Sequence, residues 1–257
     1  MRVSRVLVVT VAVLAALLPT SVSSAHPERQ SLSGEIVVSA AASLTEGFTA
    51  IGREFRRLHP RARVRFNFGS TTALVTQIQA GAPVAVFASA DLSSQDRLLQ
   101  TGNITSSPRV FARNTMQIAV KPGNPLSITR LTDLAKASTV ALCGKAVPCG
   151  VYAASVLARA GMSIPETSIT RGIDAKATLA SVSFGDADAA IVYTTDVRAA
   201  GKAVQGVSIP RAENVTAVYG ISVVRGTSNQ QLARAFVEFV MSRDGRSILA
   251  RQGFLAP

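Results

Sequence analysis

Ser43 stands in the stretch SAAASLTEGF, between the apolar run EIVV and a helical pattern. Its hydroxyl has two uses at such a turn. It can accept a bond from a helix N–H, as the capping box Ser43-Leu44-Thr45-Glu46 invites. It can also donate its proton to an anion held at the helix start, and one hydroxyl can do both. Two more strand-to-helix junctions share this character. FGSTTAL offers the hydroxyls of Ser70, Thr71 and Thr72, and VPCGVYA opens a helix at Pro148, Cys149 and Gly150. Helix starts present free main-chain N–H groups, here that of Cys149, and the positive end of the helix dipole. Hydroxyls add donors without adding charge. Tyr193 ends the apolar run AAIV, where its phenol either packs in the core or donates into a cleft.

The same residues lack what catalysis needs. The chain has two histidines, His26 and His59. One lies near the start of the exported chain and the other in a His-Pro turn, so Ser43 has no evident base and a Ser-His-Asp triad is not expected. There is no G-x-S-x-G elbow and no phosphate-binding Walker loop. Asp186 and Asp188, in FGDADAA, could chelate a cation but read as a solvated turn. Cys143 and Cys149, in LCGKAVPCG, are too few for zinc without a neighbouring histidine, and their spacing is not that of a redox dithiol. In an exported chain such a pair forms a disulfide. No side chains are expected to coordinate a metal directly, and no cofactor is expected.

The elements that must position these groups alternate. Apolar periodicity predicts strands over 36–40, 64–68 and 84–88, with helices over 44–59, 73–80 and 93–101. A second set has strands over 115–120, 139–143, 168–171, 189–192 and 215–224. Its helices cover 131–136, 151–161 and 175–184, and two more follow over 229–241 and 242–253. Strands alternating with helices predict an α/β fold with parallel sheets. Two such sets without a flexible linker predict two lobes sharing a cleft. The expected division is lobe 1 over 34–112, lobe 2 over 113–224 and a return to lobe 1 over 225–257. In open α/β sheets, ligands sit beyond the carboxyl ends of the strands, where the three junctions lie.

Residues 1–25 read as a cleavable signal peptide: Arg2 and Arg5, an apolar run from Val6 to Leu18, then Ser23-Ser24-Ala25. The apolar run falls short of the roughly 20 residues that span a bilayer. No cysteine near the cut offers a lipid anchor, and residues 26–33 form a polar, loose segment. The chain is therefore expected to be exported to the periplasm or cell envelope. The formal net charge is +12, a field that can steer small anions inward. The one basic cluster, Arg53, Arg56, Arg57, Arg61, Arg63 and Arg65, lacks interleaved aromatics and reads as a solvated face, not a nucleic-acid surface.

In order, AAASL, FGSTTAL, QIQAGAPVAVFASAD, VPCGVYA, GDADAAIVY and the terminal GF resemble the molybdate-binding proteins of ABC importers over nearly the whole exported chain. The resemblance implies a type II, two-lobed solute-binding fold without enzymatic activity. It implies that an ABC permease receives molybdate, and with it tungstate, from a monomeric carrier. It further implies that Ser43, Thr71, the N–H groups of Cys149 and Ala175, and Tyr193 hold the ion, with Ser70 adjacent. Thr71 stands where the family has serine, and Ala85 where it usually has aspartate. Three alternatives remain: a sulfate or thiosulfate carrier, a secreted hydrolase using Ser43, and an interaction module using the basic cluster.

Overall fold

The computed structural model describes residues 32–257. The signal peptide, His26 and most of the 26–33 segment lie outside the described residues. Among those described, no helix is long and apolar enough to cross a membrane.

The first half begins with β1 (Gly34–Ala41), which passes through a 3-10 turn at Ala42–Leu44 into α1 (Thr45–Leu58). Helix α1 carries Phe48, Ile51 and Phe55 at helical spacing, and all three are buried. Phe48 and Phe55 meet Phe236 edge-on, with ring centroids 6.2 and 5.4 Å apart. Truncating either aromatic to alanine costs about 3–5 kcal/mol. Then follow β2 (Ala62–Gly69), α2 (Thr71–Gln79), β3 (Val86–Ser89) and α3 (Ser93–Gln100). Strand β1 lies between β2 and β3 and is parallel to both.

The chain then crosses on β4 (Arg109–Val120), which begins earlier than its apolar run suggests. Arg109 is exposed and Arg113 half-buried, so the polar residues of this stretch alternate with buried ones as in an antiparallel strand with one solvated face. The second half comprises β5 (Val140–Cys143), α4 (Pro148–Arg159), β6 (Ile169–Gly172), α5 (Ala175–Ser183) and β7 (Ala189–Tyr193). The predicted helix over 131–136 is a 3-10 turn. Two elements carried no clear sequence signal: α6 (Thr194–Ala200) and β8 (Gln205–Ser208). The first is one short turn pair starting with two β-branched residues, weak helix formers, and the second has no apolar alternation.

Strand β9 (Thr216–Val223) returns to the first half, and α7 (Gln230–Met241) and α8 (Arg243–Arg251) close the chain. Asn229 caps α7 by accepting from the Leu232 N–H, while its amide donates to the Ser33 carbonyl.

The sheet order is β2-β1-β3-β9-β4-β7-β5-β6, with β8 beside β4. The expectation of parallel pairing holds for β2-β1-β3 and for β7-β5-β6. It fails for β4, β8 and β9, which pair antiparallel. Strand β9 re-enters the first half from the second and so runs against β3. The result is the two-lobed type II arrangement, with β4 and β9 as the extended links. Position 112/113 falls within β4.

Candidate functional site

The carboxyl ends of β1, β2, β5, β6 and β7 point to one cavity. Ser43, Ser70, Thr71, Cys149, Asp174, Ala175 and Tyr193 line it, with Ala41, Ala42, Gly69, Ala90, Val147 and Pro148. All five residues singled out as donors therefore meet at one place, and Ser70 lies beside them. The cavity measures about 20 Å³, far below the roughly 300–1,000 Å³ usual for organic ligands. It suits a compact ion. The five donor residues are 2–4% exposed, so an occupant loses its water and must find replacement donors.

Each donor is held by its own local structure. Thr71 opens α2, and its Oγ1 accepts from the Ala90 N–H at 3.2 Å. One acceptor lone pair is thus engaged, and the Thr71 proton has no partner among the described residues. Ser70 is the cap of α2, accepting from the Ala73 N–H at 3.3 Å. Cys149 stands in the first turn of α4 and Ala175 in that of α5, where N–H groups lack an intrahelical partner. Asp174 lines the cavity as the cap of α5, accepting from the Ala177 N–H at 2.9 Å. Close backbone approach sets both helix starts. A Cβ on Gly150 would lie 2.1 Å from the Gly144 carbonyl oxygen, and one on Gly172 would lie 2.3 Å from Thr178 Oγ1. The Cys143–Cys149 disulfide, expected from sequence, is present and ties the end of β5 to the start of α4.

Tyr193 is 2% exposed, and its hydroxyl has no hydrogen-bond partner among the described residues. A buried, unpaired phenol on a cavity wall is costly unless a ligand completes it. Burial, followed by the nearby Tyr219, Tyr152, Asp196 and Asp91, pushes its pKa well above the usual phenol value. It remains a neutral donor at any physiological pH.

Ser43 corrects one expectation. It does not cap the helix: Leu44 occupies that position in α1 and no side chain caps it. The Ser43 hydroxyl instead meets Tyr219 Oη at 2.9 Å. Nor does Glu46 complete a capping box, because both its oxygens take bonds of 2.8 Å from Lys176. This ion pair joins α1 to α5, and Thr72 Oγ1 adds a second link between the halves by donating to the Ala146 carbonyl at 3.0 Å. Sequence reasoning missed Tyr219, Lys176 and the buried Asp196. All three contacts are long-range, and Tyr219 reads locally as one more apolar strand residue.

Among the described residues, no lysine or arginine lines the cavity. The nearest cation in sequence, Lys176, spends its charge on Glu46 and on Asp196, whose Oδ1 lies 3.5 Å away. Asp196 is fully buried, with neither oxygen hydrogen-bonded among the described residues. Burial raises its pKa to about 7, against the opposing pull of Lys176.

The other candidates lie elsewhere. His59 packs on Phe55 at the end of α1, away from the cavity, and Ser43 has a tyrosine rather than a histidine beside it. Asp188 accepts from the Ser138 and Thr139 N–H groups at 2.8 and 3.2 Å, and no metal-binding cluster occurs among the described residues. All six arginines of the basic cluster are exposed. Ala85 is buried at the entry to β3, outside the cavity.

Comparison with known proteins follows the same outline. A family described as bacterial extracellular solute-binding protein matches residues 36–255. The molybdate-binding protein ModA of Mycobacterium tuberculosis is 37% identical over 223 residues, covering 86% of this chain and 85% of its own. That of Escherichia coli is 29% identical, covering 86% and 89%. Among solved structures, the periplasmic molybdate-binding protein of Azotobacter vinelandii superposes with a TM-score of 0.79 at 21% identity, covering 86% of this chain and 99% of that one. The sulfate-binding protein SubI of Mycobacterium tuberculosis gives 0.78 at 18%, covering 86% of each.

Proposed function

The chain belongs to the bacterial extracellular solute-binding proteins, and from that premise we propose that it captures molybdate outside the cell membrane and passes it to an ABC-type permease. The observation that carries this reading is the buried, unpartnered Tyr193 hydroxyl, facing the same small cavity as Ser43 and Thr71. A fully ionised tetrahedral oxyanion presents only acceptors. The hydroxyl and N–H donors of the cavity, with no side-chain cation on its wall among the described residues and with its one carboxylate, Asp174, capping α5, replace the hydration shell of such an ion.

In this reading Ser43 and Thr71 grip the ion from the first lobe. Tyr193 and the N–H groups of Cys149 and Ala175 grip it from the second, with Ser70 holding α2 in place. Lobe 1 takes residues 34–112 and 225–257, and lobe 2 takes 113–224. Tungstate, with the same charge and shape, binds alike. The carrier is a monomer, exported by residues 1–25, and performs no covalent chemistry on its cargo. Relatives named as molybdate-binding proteins at 37% and 29% identity support the choice of ion. The narrowness of the cavity favours one rival, sulfate, which carries the same charge in a smaller volume.

Isothermal titration of the chain lacking residues 1–25 tests the proposal. Molybdate and tungstate should give saturable one-to-one binding, sulfate should bind at least about tenfold more weakly, and phosphate should bind more weakly still. A protein silent to molybdate that binds sulfate, or an organic solute, defeats it.

A further inference from the structure

Behind Ser43 lies a buried chain of polar groups that the binding reading leaves unused. Asn114 on β4 is 1% exposed and Tyr219 on β9 is fully buried. The orientation of the Asn114 amide is fixed at one end, because its Oδ1 accepts from the Thr115 N–H at 2.9 Å. Reversing the amide would set two donors face to face. Its Nδ2 therefore points the other way, donating to Thr195 Oγ1 at 2.8 Å and reaching Tyr219 Oη at 3.4 Å. The last contact is long for a hydrogen bond. Its consequence is directional: a donor occupies that side of the phenol, so the phenol proton cannot point there.

The other hydrogen-bond partner of Tyr219 Oη among the described residues is Ser43 Oγ, at 2.9 Å. Burial, the largest influence on Tyr219, keeps the phenol protonated. The phenol proton therefore goes to Ser43 Oγ, and the serine proton is turned toward the cavity. Bonds aligned head to tail in this way polarise one another.

We infer that Asn114 and Tyr219 are positioning residues that fix Ser43 as a donor and so set the site against anions that still carry a proton. This rests on the oxyanion reading above and extends it to selectivity. With one of its two acceptor lone pairs taken by Tyr219 and its proton turned to the cavity, Ser43 is a poorer acceptor for the proton of hydrogen phosphate than a free hydroxyl, and the wall carboxylate Asp174 is common to the wild type and every variant compared below. Thr71 is in the same position, its Oγ1 already accepting from Ala90.

The test is a double-mutant cycle of Ser43→Ala and Tyr219→Phe, titrated with molybdate and with phosphate at pH 7.5. Thermal melting of each ligand-free variant reports folding. The wild-type titration comes first and judges the oxyanion reading alone. If the wild type binds no oxyanion, that reading fails and this inference falls with it. If it binds, Tyr219→Phe should weaken molybdate about tenfold. In the Ser43→Ala background the same change should have almost no further effect, because the relay acts only through Ser43. Tyr219→Phe should also narrow the gap between molybdate and phosphate, since Ser43 is then free to accept. A purely structural role would lower the melting temperature and leave that ratio unmoved. Losses that multiply in the double variant, or an unchanged ratio, overturn the inference. Should Tyr219→Phe fail to fold, Asn114→Ser removes the amide donor and must also narrow the gap, or the relay is wrong.

Discussion

The two halves of the molecule approach the cavity with different chemistry. The first offers side-chain hydroxyls, Ser43 and Thr71, each steered by a neighbour: Tyr219 for one and the Ala90 N–H for the other. The second offers main-chain N–H groups at the starts of α4 and α5, with one phenol, Tyr193. Its stiffness comes from glycine contacts and a disulfide. A hydroxyl can be deleted by substitution while the backbone stays in place. A main-chain donor survives every substitution but proline, and is otherwise lost only by moving the helix that carries it. Substitutions of the first half's hydroxyls should therefore change affinity with little change in fold, and substitutions at the second half's helix starts should change both.

The largest effect expected concerns the charges where the halves meet. Asp196 is raised by burial to about 7, so the folded protein keeps a proton that the unfolded chain has lost. Stability should then fall as pH rises from about 4 to about 7 and level off above, by up to about 4 kcal/mol. Glu166 is lowered to about 2 by its bonds from Arg171 and Lys145, and Asp133 is also lowered. Both lose their contribution below this window. Asp196→Asn should flatten the decline, being clearly more stable than wild type at pH 8 and no better at pH 5. Urea unfolding at the two values checks it, and equal slopes in both proteins would contradict it.

Next comes Gly150→Ala, whose new methyl meets the Gly144 carbonyl. It should cost about 3 kcal/mol and weaken molybdate together with stability, because the Cys149 N–H moves with α4. Unchanged affinity in a destabilised variant would break the contrast drawn between the halves. The smallest effect belongs to the disulfide. Replacing Cys143 and Cys149 by serine opens a short loop and should cost about 2 kcal/mol. The N–H at position 149 survives, so affinity should fall less than in Ser43→Ala. Calorimetry and thermal melting of both variants sharpen the comparison.

What could be read from the sequence divides along similar lines. The junctions AAASL, FGSTTAL and VPCGVYA were legible because a strand end, a hydroxyl and a helix start are all local signals. The meeting of Ser43 and Tyr219 was not, since 176 residues separate them and no periodicity reports a contact of that range. Local logic even misdirected: the spacing of Ser43 and Glu46 fits a capping box, but tertiary partners, Tyr219 and Lys176, claim both side chains. The extra length of β4 was hidden by Arg109 and Arg113, whose charges broke an apolar run that pairing with β9 restores as a strand.

The Glu46–Lys176 and Thr72–Ala146 contacts bear on time as well as on equilibrium. An ion whose surroundings are this fully covered departs only when those contacts part. Its residence is then set by these two fastenings as well as by the groups touching it. A carrier so built can hold its cargo through a long diffusive search, then surrender it quickly to any surface that pries the fastenings open.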